Sequence, residues 1–391
     1  MREEERKYEV GPLFALPDLR AAAPEGGRVT EQPPRTLRAT YHDTADLRLA
    51  RSGASLRHRR GEDGPPWTVK LPSGEANIRE EITAPGSPGR IPARLVSLLT
   101  AYTRRAPLAP VTTLRTVRRT YLVTDSAGTV LAELVDDTVA VLDGRTVTSR
   151  FRELEVERKA GDRAALDRVE RVLVAAGAKA GGFTPKSVRA LGPRAAELPD
   201  LPPPQPLGTA PSAGELVTEA LRTEAYRLLG VDPAVRLHPD DPDPLDQLRG
   251  ACRRLRTDLR GFAPLLAEAG PDAASGPDAA SGPDAASGPG AASGAGPAGA
   301  ESADTAPGGQ ELLAPLRELA GALRAVTGPT TLRARLAEIG DDDLDPETVS
   351  RLADTLTGMA DRGRTGLLAL LAGAPYARML DGLVAAAGAP P

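Results

Sequence analysis

Alternating charge over two short stretches constrains this chain more than anything else. Glu3, Glu5 and Lys7 alternate at the start, and Phe151-Arg152-Glu153-Leu154-Glu155-Val156-Glu157 repeats the device with three carboxylates. Side chains two apart on a strand project from the same face. Five acids on two strands facing one volume repel one another unless cations stand among them. The pattern therefore predicts strands around an enclosed space that takes a divalent metal, and the many arginines elsewhere add a polyanionic ligand beside it.

With 391 residues and 40.7 kDa, the chain has room for two domains of ordinary size. Its net charge of -4 hides an asymmetry: residues 1–200 carry 33 Lys+Arg against 27 Asp+Glu, a net +6, which leaves -10 for the remainder. A single cysteine, Cys252, excludes an intramolecular disulfide and a multi-cysteine zinc site, and three histidines argue against an imidazole-rich centre. No apolar run is long enough to span a bilayer and no signal-peptide pattern opens the chain, so a cytoplasmic setting without a membrane partner is expected. The excess of Ala, Arg, Gly and Pro resembles the output of a GC-rich bacterial genome.

Residues 1–196 read mainly as strand, with segments at 37–41, 55–59, 67–70, 79–83, 115–124, 130–134, 138–142 and 151–157. Turn residues at 125–128 and 142–144 divide them into hairpins, and helices are expected at 93–102 and 163–176. Residues 197–213 are proline-rich, an expected semi-rigid linker. The remainder, 214–391, reads as helical, with helices expected at 213–229, 244–269, 310–326, 332–339, 346–362 and 365–372. A Gly-Pro-Asp-Ala-Ala-Ser repeat, occupying 270–309 with its degenerate tail, interrupts it and is expected to be disordered.

Basic residues accompany the strand acids. Arg57 and Arg59 share a face, Lys70 ends a strand-like run, and Arg115, Arg118 and Arg119 sit together. Guanidinium groups bind phosphate oxygens in pairs, lysine adds a compact charge, and carboxylates hold Mg²⁺ or Mn²⁺ through oxygen. Acids on one wall and bases on another suit a metal-bound polyphosphate. Taken singly, each motif is common on solvated surfaces; their order and combination carry the reading.

That order resembles the CYTH, or triphosphate tunnel metalloenzyme, superfamily. Glu3-x-Glu5-x-Lys7 is similar to its ExExK signature, and Tyr41-His42-Asp43-Thr44 to its Tyr-Tyr-Asp-Thr segment. Leu56-Arg57-His58-Arg59, Thr68-Val69-Lys70, Arg79-Glu80-Glu81, Val135-Asp136-Asp137, Glu153 to Glu157 and Lys186-x-x-Arg189-Ala190-Leu191 follow in order. Over 1–196 the resemblance implies an eight-stranded antiparallel β tunnel with flanking helices, in an α+β chain, hydrolysing a triphosphate with Mg²⁺ or Mn²⁺. It implies Glu3, Glu5, Glu153 and Glu155 as catalytic and metal-holding carboxylates, joined at the metal by Asp136 and Glu157. Lys7, Arg57, Arg59, Lys70 and Lys186 are implied to grip the triphosphate. On the central strand Arg115 and Arg119 share one face, opposite Arg118; that pair is the expected one, although sequence leaves the lumen face open. Asp43 and Thr44 are expected to fix a turn.

In the second half, Arg249, Arg253, Arg256 and Arg260 recur at spacings of 4, 3 and 4, one stripe on a helix beside Leu248, Leu255, Leu259 and Phe262. Such a stripe needs an anion or an acidic partner. The segment resembles the first signature helix of CHAD domains, all-α bundles often found behind CYTH domains, and implies polyphosphate binding. The family usually has histidine where Asp246 stands, and a complete domain needs about as much sequence again, so an incomplete bundle is expected. Cys252 is expected at the core or its boundary.

The expected activity is a triphosphatase with inorganic tripolyphosphate as first substrate, other triphosphates as alternatives, and association with polyphosphate granules. The other readings are a non-catalytic polyphosphate-binding module and class-IV adenylyl cyclase chemistry. Nucleic acid has little support, since residues 201–391 are acidic and lack interleaved aromatic and basic residues.

Overall fold

The computed structural model describes residues 2–11, 13–73, 78–181, 184–264, 311–338 and 345–388. The repeat at 270–309 and the Glu3 side chain lie outside the described residues. The chain divides into two compact units, Met1–Asp200 and Leu201–Pro391.

The first unit is built on strands β1 (Arg2–Glu9), β2 (Arg28–Glu31), β3 (Arg35–Asp43), β4 (Ser55–Arg60), β5 (Trp67–Pro72), β6 (Ile78–Ala84), β7 (Ala109–Thr124), β8 (Val130–Asp143), β9 (Thr146–Arg158) and β10 (Lys179–Ala180). Eight close into an antiparallel barrel in the order β1-β6-β5-β4-β3-β7-β8-β9 and back to β1, while β2 joins β7 and β10 joins β1 from outside. The expected strands at 130–134 and 138–142 are one continuous strand, because Val135 to Asp137 keep pairing with both neighbours.

What packs outside the barrel decides what faces its interior. Helix α4 (Arg163–Ala175) buries Leu166, Val169 and Leu173 against Tyr8, Leu134, Leu154 and Val156 of three adjacent strands. Each buried leucine or valine there contributes roughly 2 kcal/mol. The helix starts where Asp162 accepts from the Ala165 amide, satisfying an otherwise orphaned donor. Because Tyr8, Leu154 and Val156 point outward, Glu5, Lys7, Glu153 and Glu155 point into the lumen.

One stretch of the lumen is apolar. Ala39, Tyr41, Leu114, Val139 and Val141 cluster there with Phe151 and with Ala190 of α5 (Lys186–Leu191). The other side of α5, through Val188 and Leu191, packs on Leu47, Ala50 and Ala195. Here Asp43 caps the short helix α1 (Arg48–Arg51), its carboxylate accepting from the amides of Thr44, Leu49 and Ala50 at 2.7–2.9 Å. Asp43 thus fixes a turn. The expected helix at 93–102 is two pieces, α2 (Ala93–Leu98) and α3 (Thr100–Thr103), broken at Leu99.

The second unit consists of α6 (Ala213–Leu237), α7 (Pro242–Gly261), α8 (Leu313–Ala337), α9 (Pro346–Ala372) and α10 (Ala374–Gly388). In α7, Leu245, Leu248, Cys252, Leu255 and Leu259 make the buried stripe. Four expectations change. Helix α6 runs on through Pro233, α8 spans the expected break near 326–332 through Pro329, α9 passes Gly363, and α10 was not expected from the sequence. Burial overrides local helix-breaking tendency at these points: Pro233, Pro329 and Gly363 are all buried. Among the described residues no single helix is long and apolar enough to cross a membrane.

Candidate active site

The lumen of the barrel gathers acids from β1, β8 and β9 and bases from β1, β4, β5, β7 and α5. Glu5, Asp137, Glu153 and Glu155 are buried, with exposures of 6, 0, 2 and 9 %. Carboxylates so placed remain ionised only beside cations. Lys186 supplies one, its Nζ lying 2.6 Å from Glu155, 2.7 Å from Glu153 and 3.1 Å from Asp137. Lys7 donates to Glu155 and lies 3.7 Å from Glu153 and 3.8 Å from Glu5. Arg118 forks onto both oxygens of Asp137 at 2.9 and 2.7 Å.

The electrostatics follow from this crowding. Burial alone raises the Glu155 carboxyl, but Lys186, Lys7 and Arg118 override it and hold the group well below the usual carboxylate range. Asp137 is lowered in the same way, by Lys186 and Arg118 against its own burial. Lys186 moves oppositely: burial lowers it, and Glu155, Asp137 and Glu153 raise it well above an ordinary lysine. On the basic wall, burial and the neighbouring Arg57 push the Arg59 guanidinium down to about 10. Burial raises the Tyr41 phenol, yet Arg57, Lys186 and Arg59 bring it below its ordinary value. Arg57, Arg59 and Arg118 thus crowd one wall; Glu62 pairs with Arg59 and Asp137 with Arg118, and the remaining repulsion of Arg59 by Arg57 and Arg118 is one that an anion relieves.

The structure brings together Glu5, Lys7, Arg57, Arg59, Lys70, Glu153, Glu155, Glu157 and Lys186 on the lumen face. Lys70 pairs with Glu81 at 3.2 Å, and Glu157 with Lys159 at 2.8 Å. It corrects three of the expected residues. Arg115 and Arg119 are exposed on the outer face, because Leu114 and Thr116, their neighbours on β7, are the buried ones; Arg118 is the lumen arginine. Asp136 also points outward, where both its oxygens accept from Arg152 at 2.8 Å, and Asp137 takes the inward position. Backbone pairing sets Glu3 opposite Arg79.

Sequence reasoning also passed over Arg189. Its Nη1 lies 3.1 Å from Glu153, and its guanidinium covers the Phe151 ring at 4.4 Å. The spacing of Lys186 and Arg189, three apart on a helix, was the available signal.

Among the described residues no three Asp, Glu, His or Cys side chains converge as a metal site. Lysine ammonium groups stand between the acids instead. The donor set nonetheless fits a hard divalent cation in kind, since every acid in the lumen offers carboxylate oxygen.

In the second unit, Arg249, Arg253 and Arg260 are exposed and Arg256 is half-buried. Arg249 pairs with Asp246 at 2.9 Å. Cys252 is fully buried, its thiol pushed up to about 11 by that burial.

Two proteins from two strains of Mycobacterium tuberculosis, both uncharacterized, are 32% identical to the chain over 275 residues, covering 66% of it. The chain spans about half the length of these curated relatives, 51% of each. Among solved structures, a provisionally assigned adenylate cyclase from Bacillus halodurans is 16% identical, covering 49% of this chain and 99% of its own, with a TM-score of 0.30. A provisionally assigned adenylyl cyclase from Hippeastrum, with a dominant triphosphatase activity, is 16% identical, covering 46% and 91%, with a TM-score of 0.29. The CYTH domain profile matches residues 1–190. Residues 1–190 of this chain are a CYTH domain.

Proposed function

We propose that the tunnel is a metal-dependent triphosphatase whose first substrate is inorganic tripolyphosphate. The observation that carries this reading is the buried contact of Glu153, Glu155 and Asp137 with Lys186, Lys7 and Arg118. Arg57, Arg59, Lys70 and Arg118 take non-bridging phosphate oxygens, the arginines through paired hydrogen bonds. Lys7 and Lys186 exchange their carboxylate partners for phosphate, which frees Glu153 and Glu155. Glu3, Glu5, Glu153, Glu155 and Glu157 would hold Mg²⁺ or Mn²⁺. When bound, the cation neutralises phosphate charge and acidifies a water. A freed carboxylate then accepts the proton of the attacking water as the terminal P–O bond breaks, giving orthophosphate and pyrophosphate.

A substrate read through its phosphates suits this lumen better than a nucleotide, because Arg189 already occupies the face of Phe151. For the second unit we read 214–391 as a CHAD-like bundle behind a linker at 197–213. Its Arg249, Arg253, Arg256 and Arg260 would bind polyphosphate. Support comes from Arg253, Arg256 and Arg260, which form no ion pair among the described residues.

The test is phosphate release by the purified full chain from tripolyphosphate, ATP, thiamine triphosphate and long-chain polyphosphate, with Mg²⁺, Mn²⁺ or EDTA. The reading expects metal-dependent release, fastest from tripolyphosphate. Polyphosphate binding with no release from any substrate would leave a binding module instead, and cyclic nucleotide from ATP would leave a cyclase.

A further inference from the structure

Backbone pairing sets a row of arginines across the outside of the barrel. Arg60 on β4 lies opposite Arg38 on β3, Arg38 opposite Arg115 on β7, Arg115 opposite Ala140 on β8, and Ala140 opposite Arg150 on β9. Register partners share a face, and the residues flanking this row, Leu37, Ala39, Leu114, Thr116, Val139 and Val141, are buried. All four arginines are exposed. Adjacent strands lie roughly 4.8 Å apart, so the row runs about 19 Å across five strands. Ala140 is only 3 % exposed, and the arginine stems on either side are long enough to cover it.

Like charges directly opposite on neighbouring strands destabilise a sheet, and an acid between them is the usual remedy. Here none of the four arginines forms an ion pair among the described residues. The flanking outward positions carry no acid: Thr36, Val117, Thr138 and Arg152 on one side, His58, Thr40, Thr113 and Leu142 on the other, with the Thr40 and Thr113 hydroxyls 3.3 Å apart. Asp136, an outward acid of the same sheet, is already taken by both arms of Arg152.

The geometry points to a second anion site: the row of Arg60, Arg38, Arg115 and Arg150 binds an extended chain of phosphates, inorganic polyphosphate, on the outer face of the barrel. Guanidinium groups set side by side match a repeating oxyanion, and the threonines add neutral donors. The row and its flanks expose no aromatic ring for a base to stack on, since His58 is buried against Trp67, and hold no Asn or Gln to read a base edge, which favours a bare phosphate chain over single-stranded nucleic acid. The row begins at the Arg59–Arg60 step, where Arg59 enters the lumen and Arg60 leaves it, so a chain held outside has an end close to one mouth. The assignment does not depend on what the tunnel hydrolyses.

The test uses the full chain and an R38Q/R115Q/R150Q variant, with long-chain polyphosphate and tripolyphosphate as probes and a single-stranded oligonucleotide of matched charge as comparison. Expected are a fall in long-chain polyphosphate affinity of about tenfold or more at low salt and a shallower salt dependence, as follows from removing three phosphate contacts. Tripolyphosphate binding and hydrolysis stay within about twofold. The thermal midpoint of the free variant equals or exceeds that of the parent, since repulsion is removed, and polyphosphate raises it less. Equal polyphosphate affinity in variant and parent overturns the site. An oligonucleotide bound as tightly as polyphosphate, and lost equally in the variant, overturns its assignment to polyphosphate.

Discussion

Lys186 Nζ lies 2.6 Å from Glu155 Oε2, tying helix α5 to strand β9 inside the tunnel. The same ammonium reaches Glu153 and Asp137. One lysine therefore neutralises much of the acid wall, and the pH dependence of the fold follows from it. Lys186 is raised above its ordinary value of 10.5, so its contribution is complete below that pH and is lost only as pH rises through the higher folded value. Glu155 and Asp137 are lowered, so theirs is present above ordinary carboxyl values and is lost as pH falls through the lowered ones. Between about pH 5 and 10 these groups leave stability flat.

Lys186→Met removes the shared cation and leaves buried acids with too little positive charge. At pH 7 a loss of about 3 kcal/mol is expected. Protonation relieves the acids, so the deficit shrinks between pH 7 and 5, whereas the parent does not gain. Urea denaturation at several pH values checks this, and a deficit that stays constant with pH would show that lost packing, not charge, is responsible.

Arg118→Gln and Arg119→Gln separate the two faces of β7. The first removes the fork onto Asp137 and a phosphate ligand from the lumen, and a fall in triphosphatase activity of about 100-fold or more is expected. The second alters an exposed side chain on the outer face and leaves activity within about twofold. Kinetics on folded protein of both variants decide between them, and the reverse ranking would put the lumen on the wrong face.

That contrast marks where sequence stopped being sufficient. Glu153, Glu155 and Glu157 were legible because a period of two holds over an unbroken strand whose alternate residues, Leu154 and Val156, are apolar. On β7 both faces carry arginine, and outward Val117 is 44 % exposed, so hydrophobic alternation does not reveal parity. Asp136 and Asp137 are neighbours in sequence, and only the packing of Leu134 and Leu154 under α4 separates outward from inward. The part played by Arg189 required knowing that α5 packs against the lumen residues, a tertiary fact. In the helical unit, proline and glycine were read as breaks that burial overrides.

Asp232 in α6 is fully buried, taking both arms of Arg236 at 2.8 and 3.0 Å and the Tyr376 hydroxyl of α10 at 2.8 Å. Arg236 also donates to the Leu371 carbonyl of α9 at 2.9 Å. Tyr376→Phe deletes one hydrogen bond to a charged group and costs about 1.5–3 kcal/mol. Asp232→Ala strands the Arg236 charge and costs about 3–5 kcal/mol. Thermal melts of the two variants test the ranking, which an equal or reversed loss would contradict.

Gly363 lets α9 approach α8 at its proline. A methyl group at 363 would meet the Ala325 carbonyl oxygen at 2.3 Å. Ala325 lies four residues before Pro329, whose missing N–H leaves that carbonyl without its helical donor. Gly363→Ala is expected to destabilise the helical unit by about 1–3 kcal/mol despite the better helix propensity of alanine. Hydrogen exchange of α8 and α9 reports it, and a stabilised variant would deny the close approach.

The most direct test of the central claim compares the full chain with Glu5→Gln on tripolyphosphate, measuring orthophosphate release and substrate binding together with Mg²⁺ or Mn²⁺ and again with EDTA. The account expects release by the parent only with metal, and loss of release in Glu5→Gln with tripolyphosphate still bound. Undiminished release from the variant, or release by the parent in EDTA equal to that with metal, would contradict it.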